Sequence, residues 1–196
     1  KYYYDKFSFP WHIHNEFEII YVEESTGERF VADSVEDFSP FDLTLVGPNV
    51  PHCMKSAPEY NQGKTLLRVK GVIIQFEEPF MSHAINNYAD LSHIKELLEK
   101  SQQGIHFPYP QNKEIITCIK QLPDCNGTMR IINLLHLLDL MAKFEDKRSL
   151  GSLLFCQSLS LKMDPRMKKV ISYLMNNYKK DIDLNQISSL VAMNTS

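Results

Sequence analysis

The chain has 196 residues, of which 43% are hydrophobic and 23% are charged, and its formal net charge at pH 7 is -3. This composition is sufficient for a folded core and excludes a disordered or low-complexity chain. No run of eighteen apolar residues occurs, which excludes a membrane-spanning helix, and the first residues lack the apolar stretch of a signal peptide. The four cysteines show no CxxC spacing, so we expect a reduced, cytoplasmic protein with no membrane partner.

Charge is unevenly distributed along the chain. Residues 1–161 carry 15 Lys and Arg against 21 Asp and Glu, whereas the last 35 residues carry six basic residues against three acidic ones. An acidic body followed by a basic end is typical of a chain whose end faces nucleic acid. A solvated helix face explains so small a surplus of positive charge at least as well.

Strand patterns fill the first third of the chain. The segments 16–22, 28–32 and 42–46 are rich in β-branched and aromatic residues and are separated by turn residues. A longer segment, 65–76, predicts either a strand pair or one strand kinked at Gly71. Several short strands at this spacing predict a sandwich or a small barrel.

Beyond Pro79 the apolar spacing changes to that of helices. Apolar residues at this spacing predict helices near residues 91–98 and 115–122. Residues 127–144 have the most apolar helical pattern, with one narrow polar stripe, so more than one face of this helix has to be buried. Its partner is either the rest of the chain, which makes the helix internal, or a second copy of the protein.

The end of the chain has the pattern of two short helices joined by a tight turn. Asp164 and Pro165 are typical of an N-cap and a first helical position, and Asp183 with Gln186 has the shape of a capping box. Because the first of these helices is basic, the arrangement looks like the beginning of a helix-turn-helix. The recognition helix, which would enter the major groove, is then absent from the chain.

A His-x-His-x-x-x-Glu pattern is the first candidate for chemistry. His12, His14 and Glu18 share parity, so on one extended strand they point to the same face. They could hold a divalent metal if His52, at the end of a Gly-Pro-x-x-Pro-His stretch, supplies a third imidazole. The alternative is a metal-free set of hydrogen-bonded polar residues at the mouth of a barrel.

These two motifs resemble those of the cupin superfamily, and their surroundings resemble the sensor domain of AraC-family transcriptional regulators. The likeness lies in residues 9–22, 42–52 and 73–76, and residues 167–195 are similar to the linker helix and the first helix-turn-helix of that family. In this family the histidine pattern often persists without a metal. Three positions also depart from the cupin motifs: Ser25, Asn49 and Ser56.

The resemblance implies an α+β fold. It predicts a cupin-like double-stranded β-barrel for effector sensing, then a helical dimerisation hairpin and a partial helix-turn-helix. The corresponding bounds are residues 1–108 for the barrel, 109–148 for the dimerisation region, 149–163 for a linker and 164–196 for the truncated AraC-type helix-turn-helix.

The implied function is that of a ligand-responsive, DNA-binding regulator of transcription that is not an enzyme. It would form a homodimer, bind a small-molecule effector such as a sugar, and bind DNA in its full-length form. No cofactor is implied apart from the metal considered above. Tyr21 has opposite parity to Glu18 and faces the barrel interior only if a bulge intervenes. The candidate ligand-binding residues are Trp11, His12, His14, Glu18, Tyr21, His52 and Arg68.

Two further interpretations stay open at this point. One is a metal-dependent cupin enzyme, such as a dioxygenase or sugar isomerase, that uses His12, His14, Glu18 and His52. The other is a sensor domain that has lost its pocket and only dimerises. The sequence contains no GxSxG, P-loop, GxGxxG or HExxH motif, so no other catalytic machinery is indicated.

Overall fold

The computed structural model describes residues 1–61, 67–80, 82–155, 166, 169–170, 173–174, 177 and 181–192. The chain divides into two compact units, Lys1–Cys156 and Gln157–Ser196. Within the described residues, no helix has both the length and the apolar character that crossing a bilayer requires.

The first unit contains the described strands and four α-helices with described bounds. The strands are β1 (Tyr2–Tyr4), β2 (Glu16–Glu24), β3 (Gly27–Val31), β4 (Ser34–Phe38), β5 (Asp42–Val46), β6 (His52–Ser56), β7 (Val69–Glu77), β8 (Ile105–His106) and β9 (Arg148–Ser149). The helices are α1 (Ser82–Asn87), α2 (Ser92–Lys100), α3 (Lys113–Gln121) and α4 (Gly127–Lys143), and the second unit contains α5 (Leu184–Leu190).

The strands form two antiparallel sheets. One has six strands in the order β1-β7-β2-β5-β8-β9, and the other has three in the order β4-β3-β6. The helices of this unit come after β7 in the chain, and residues of α2, α3 and α4 pack on the larger sheet. The predicted α+β class is therefore confirmed.

The six-stranded sheet is covered on both faces, which explains why β2 and β5 are almost entirely buried. Ile19 and Tyr21 of β2 point to one face and pack in a core that includes residues of α2, α3 and α4. Ile20 and Val22 point to the other face and pack with residues of the three-stranded sheet. A strand that is buried on both faces is apolar at successive positions, and this is why residues 19–22 form an unbroken apolar run.

The segment around Gly71 is one strand, which decides between the two predictions for it. β7 runs through Gly71 and pairs with Tyr2 of β1 on one side and with β2 on the other. A Cβ atom at Gly71 would lie 2.0 Å from the Tyr21 carbonyl oxygen, so glycine is required by close backbone approach. The predicted start of this segment, residues 65–66, lies outside the described residues.

Helix α4 is internal along only part of its length. Its C-terminal half is buried in the core through Leu134, Leu137, Leu138 and Met141. Near its N-terminus, Met129, Ile131 and Ile132 are 54%, 44% and 48% exposed. The alternative of a fully internal helix is therefore not what the structure shows, and among the described residues nothing covers this apolar face near the N-terminus.

Helix α5 begins where the sequence predicted a cap. The Asp183 carboxylate accepts a hydrogen bond of 2.9 Å from the backbone N–H of Asn185. Gln186 does not reach back to complete a capping box, because its side-chain oxygen accepts a hydrogen bond of 2.5 Å from the Tyr173 hydroxyl. The other predicted cap, at residues 164–165, lies outside the described residues.

Candidate ligand site

The two histidine-bearing stretches lie side by side. The backbone N–H of His12 donates to the carbonyl oxygen of His52 at 3.1 Å, and the N–H of His52 donates to the carbonyl oxygen of His12 at 3.0 Å. The N–H of Asn49 also donates to the carbonyl oxygen of His14 at 2.8 Å. As a result the His52 ring centroid lies 4.4 Å from that of His12 and 5.0 Å from that of His14.

Glu18 is the buried carboxylate among these rings. Its Oε2 lies 2.9 Å from His14 Nε2 and accepts a hydrogen bond of 2.6 Å from the Gln75 amide, and its Oε1 lies 3.7 Å from His52 Nε2. Burial alone would raise the pKa of Glu18, but His52, Gln75 and His14 together outweigh it and hold the pKa at about 2. The carboxylate is therefore ionised at neutral pH.

The His12 imidazole is uncharged, although a histidine beside a carboxylate is usually protonated. Its desolvation, together with the nearby His52, lowers its pKa from the ordinary histidine value. The ring is therefore neutral at physiological pH, with a nitrogen lone pair available. One ionised carboxylate beside a neutral imidazole can bind a cation or hydrogen-bond the polar end of a ligand.

A cavity of about 320 Å³ opens beside this cluster. One wall is polar and is formed by His12, Glu18, His52 and Gln75. Aromatic and aliphatic side chains dominate the rest of the lining. An apolar cavity of this size with a few convergent polar groups is typical of a small-molecule site. The remaining residues that line it are Lys1, Tyr2, Tyr4, Phe7, Phe9, Ile20, Cys53, Met54 and Ile73.

Strand register places the two sides of this lining. Glu18 and Ile20 share one face of β2 and are paired across the ladder with Gln75 and Ile73 of β7. Because directly opposed residues project to the same face, these four side chains meet at the cavity. The parity of Glu18 and Ile20 was available from the sequence, whereas the register with β7 was not.

The aromatic side of the cavity was missed by sequence reasoning. Tyr2 and Tyr4 belong to β1, which pairs with β7, and their rings are stacked with centroids 5.4 Å apart. Phe7 follows them and is held by a hydrogen bond of 2.8 Å from its backbone N–H to the Ser56 hydroxyl. The only local signal for this group is the cluster of aromatic residues at the start of the chain.

Four of the residues predicted to bind the ligand do not line this cavity. His14 contacts Glu18 within the cluster but does not line the cavity, and Trp11, the residue before His12, is half-buried. Tyr21 is fully buried on the opposite face of β2, because the register irregularity lies beyond it, between Val22 and Glu24. The remaining residue, Arg68, forms an ion pair of 2.9 Å with the exposed carboxylate of Asp5.

Residues 2–78 match the family model of the AraC-like ligand binding domain. This segment contains the histidine cluster, the strands that hold it and most of the cavity lining. The match defines the class: these residues are an AraC-like ligand-binding domain. For these residues the match confirms the resemblance seen in the sequence.

Several solved structures resemble the chain over most of its length. ToxT from Vibrio cholerae is 9% identical with a TM-score of 0.47, and the likeness covers 98% of this chain and 68% of that one. The AraC-like transcriptional activator CuxR is 9% identical with a TM-score of 0.44, covering 92% and 58%. A ToxT structure with bound unsaturated fatty acid is 10% identical with a TM-score of 0.40, covering 97% and 66%. No curated protein matches the sequence.

Proposed function

We propose that the protein is a ligand-responsive regulator of transcription whose sensor domain binds a small-molecule effector in the cavity beside His12, Glu18 and His52. The observation that carries the proposal is the cavity itself, with its apolar lining and one polar wall, inside an AraC-like ligand-binding domain. Because side chains do not fill this cavity, it also argues against the alternative of a sensor domain that has lost its pocket and only dimerises.

The lining restricts the chemistry of the effector. Aromatic rings cover much of the wall, and the ionised Glu18 with neighbouring imidazoles forms the polar end. This arrangement suits a small molecule with an apolar surface and one polar end, and the apolar face of a sugar on the aromatic rings is compatible with it. We propose residues 1–108 as the effector-sensing part.

A ligand screen with a cavity-filling variant tests this proposal. The unfolding temperature is measured with sugars, aliphatic carboxylates, aromatic acids and organic amines, because a ligand at a hundred times its Kd adds about 2.7 kcal/mol of stability. Ile73→Trp places an indole in the lining, and Val35→Trp places the same side chain on β4 outside it; the two wild-type residues are 38% and 43% exposed.

We expect at least one compound to raise the unfolding temperature of the wild type and of Val35→Trp in a concentration-dependent way. The same compound should have no effect on Ile73→Trp. A shift that survives in Ile73→Trp, or the absence of any shift across the four compound classes, would show that the cavity is not the effector site.

We also propose that residues 109–148 form a homodimer through the uncovered face of α4. Met129, Ile131 and Ile132 present that face, and a second copy would remove their apolar surface from water. Replacing Ile131 and Ile132 by Asp should convert the dimer to a monomer in light scattering, whereas Val35→Asp should not. A wild-type monomer at tens of micromolar would exclude this interface.

The response to effector would reach DNA through the helices that follow. In the full-length protein we propose a DNA-binding unit that begins within residues 164–196, of which most of the first helix lies outside the described residues. Such a regulator acts in the cytoplasm, where the free thiols of Cys53, Cys118 and Cys125 stay reduced.

A metal-dependent cupin enzyme is the second candidate. The observation in its favour is the clustering of His12, His14, Glu18 and His52, which is a ligand set found in such enzymes. We place it second because the family match is to a ligand-binding domain. Turnover of a sugar isomer or consumption of O₂ by the metal-loaded protein would reverse this order.

A further inference from the structure

Two imidazoles in the polar wall of the cavity present lone pairs to a ligand. The Nδ1 of His12 lies 2.9 Å from the Pro10 carbonyl oxygen, and the Nδ1 of His52 lies 2.9 Å from the Val50 carbonyl oxygen. A carbonyl oxygen only accepts hydrogen bonds, so each Nδ1 carries the proton and each neutral ring keeps its lone pair on Nε2. His52 is only 2% exposed, and its Nε2 has no hydrogen-bond partner among the described residues. The wall therefore contains imidazole acceptors, and the buried one lacks a donor.

The Glu18 carboxylate adds a third acceptor, because its two oxygens are used unequally within the described chain. Oε2 lies 2.9 Å from His14 Nε2 and accepts a hydrogen bond of 2.6 Å from the Gln75 amide. Oε1 lies 3.7 Å from His52 Nε2, which is too long for a hydrogen bond. Buried polar atoms are nearly always paired, so Oε1 and His52 Nε2 together favour a ligand that brings hydrogen-bond donors.

The spacing of these acceptors matches a single ammonium nitrogen. One side-chain nitrogen or oxygen from each of His12, Glu18 and His52 lies within 4.8 Å of the others. An ammonium group has three N–H donors, and acceptors that each lie about 2.9 Å from its nitrogen are separated from one another by roughly 4 to 5 Å. Hydrogen bonds between a charged donor and a carboxylate are roughly twice as strong as those between neutral groups. The polar wall therefore favours a primary ammonium over a hydroxyl, which brings one donor and no charge, and over a carboxylate, which only accepts.

The rest of the lining suits the apolar body of such an amine. The rings of Tyr2 and Tyr4 are stacked at 5.4 Å between centroids, and those of Tyr4 and Phe9 lie 6.2 Å apart, edge to face. Tyr4 and Phe9 line the cavity although they are 39% and 61% exposed, so a bound apolar group would remove their surface from water. Aromatic faces also attract a nearby cation. The lysine that lines the cavity, Lys1, pairs with the Asp124 carboxylate at 2.9 Å, so its charge is already balanced.

We propose that the effector is a primary amine, whose ammonium group donates to Glu18 Oε1, His12 Nε2 and His52 Nε2 while its apolar body lies against the aromatic rings. This inference rests on the proposed function, because it names the ligand chemistry of the same cavity. It is also narrower, since a cavity that binds a sugar or a carboxylate would satisfy the proposed function and contradict the amine.

Isothermal titration calorimetry with matched ligands tests the ammonium group directly. An aromatic series contains phenethylamine, phenethyl alcohol and hydrocinnamate, and an aliphatic series contains hexylamine, hexanol and hexanoate. A chelator in the buffer keeps metal ions away from the same lone pairs. In at least one series we expect the amine to bind the wild type, the alcohol to bind roughly tenfold to a hundredfold more weakly, and the carboxylate not to bind. Trimethylation of the amine keeps the charge but removes every N–H, and it should weaken binding by roughly tenfold or more.

Two variants with the same chemical change locate the ammonium group. Glu18→Gln should weaken amine binding by roughly tenfold or more, whereas Glu24→Gln, at the exposed end of the same strand, should bind as the wild type does. The ligand series uses the wild type alone, so it decides the question even if Glu18→Gln does not fold.

Three results would overturn the amine: no amine binding in either series, equal binding by the alcohol or the trimethylated amine, or unchanged binding by a folded Glu18→Gln. Binding of the alcohol or the carboxylate in place of the amine, abolished by Ile73→Trp, would overturn the amine and leave the proposed function intact. The proposed function itself fails only if no compound class in the ligand screen shifts the unfolding temperature, or if the shift survives in Ile73→Trp.

Discussion

His12 and His52 pair through two backbone hydrogen bonds, at 3.1 and 3.0 Å, although they lie far apart in the sequence. The pairing is made by main-chain atoms, so it does not depend on either imidazole. The side chains are brought to 4.4 Å between ring centroids as a consequence. The backbone therefore builds the cluster, and the imidazoles are free to serve binding.

This relationship predicts a small stability cost for removing the His12 side chain. His12→Ala keeps both backbone hydrogen bonds and removes a half-buried ring, so we expect the free energy of unfolding to fall by less than about 1 kcal/mol. Ile20→Ala, which empties a buried position in the same site, should cost about 2–5 kcal/mol. Urea unfolding measures both. Similar losses in the two variants would mean that the His12 ring stabilises the fold.

A buried ion-pair network joins the two sheets and should be essential to stability. Arg29 of β3 is 2% exposed and pairs with Asp42 of β5 and with Glu36 of β4. Arg29→Met leaves the buried Asp42 carboxylate without its guanidinium partner, so we expect a loss of about 3–5 kcal/mol.

The matched control for that variant is Arg148→Met. Arg148 also binds Glu36, at 2.8 Å, but its side chain is half exposed, so its loss should cost less than about 1 kcal/mol. Urea unfolding of the two variants at pH 7 provides the comparison. Equal losses of unfolding free energy in the two variants would show that burial does not determine how much each arginine stabilises the fold.

The same network predicts how the cost of Arg29→Met depends on pH. Burial alone would raise the pKa of Asp42, but His106 and Arg29 outweigh it and hold the pKa below the usual aspartate value. A lowered folded-state pKa stabilises the fold above the unfolded-state value, near 4, and this stabilisation is lost as the pH falls further. In Arg29→Met the buried Asp42 carboxylate lacks the guanidinium, so its protonation at low pH stabilises the folded state.

The difference in unfolding free energy between wild type and Arg29→Met should therefore shrink between pH 7 and pH 3. Urea titrations at several pH values measure it. In the Asp42→Asn background the Arg29 effect should lose most of its pH dependence, and the remainder should come from the Arg29–Glu36 pair. A difference that stays constant across this range would exclude the pairing of Arg29 with Asp42 as its cause.

Cys53 should be protected from alkylation in the folded protein. Burial raises the pKa of its thiol to about 11, and the side chain is almost inaccessible, although it borders the cavity. The higher pKa alone reduces the thiolate at pH 7 by roughly a hundredfold, and the thiolate is the reactive form. Peptide mapping after iodoacetamide treatment should show Cys53 unmodified in buffer and modified in urea. Equal rates in the two conditions would show that the cavity wall opens readily.

The sequence by itself determined the local features of this protein. Spacing and parity placed His12, His14 and Glu18 on one face and marked the helices, including the apolar α4. The motifs around these residues resemble the family whose model matches residues 2–78. These features depend on residues close in the chain, where side-chain direction follows directly from helical or extended geometry.

The tertiary structure alone decided which distant residues share the site. Pairing of β1 and β7 brought Tyr2 to the cavity, pairing of His12 with His52 closed the cluster, and the unbroken register of β2 turned Tyr21 towards the helices. Register between strands that are remote in sequence depends on the packing of both sheets at once, because a shift of one residue would exchange every inward and outward side chain. No local pattern contains that information.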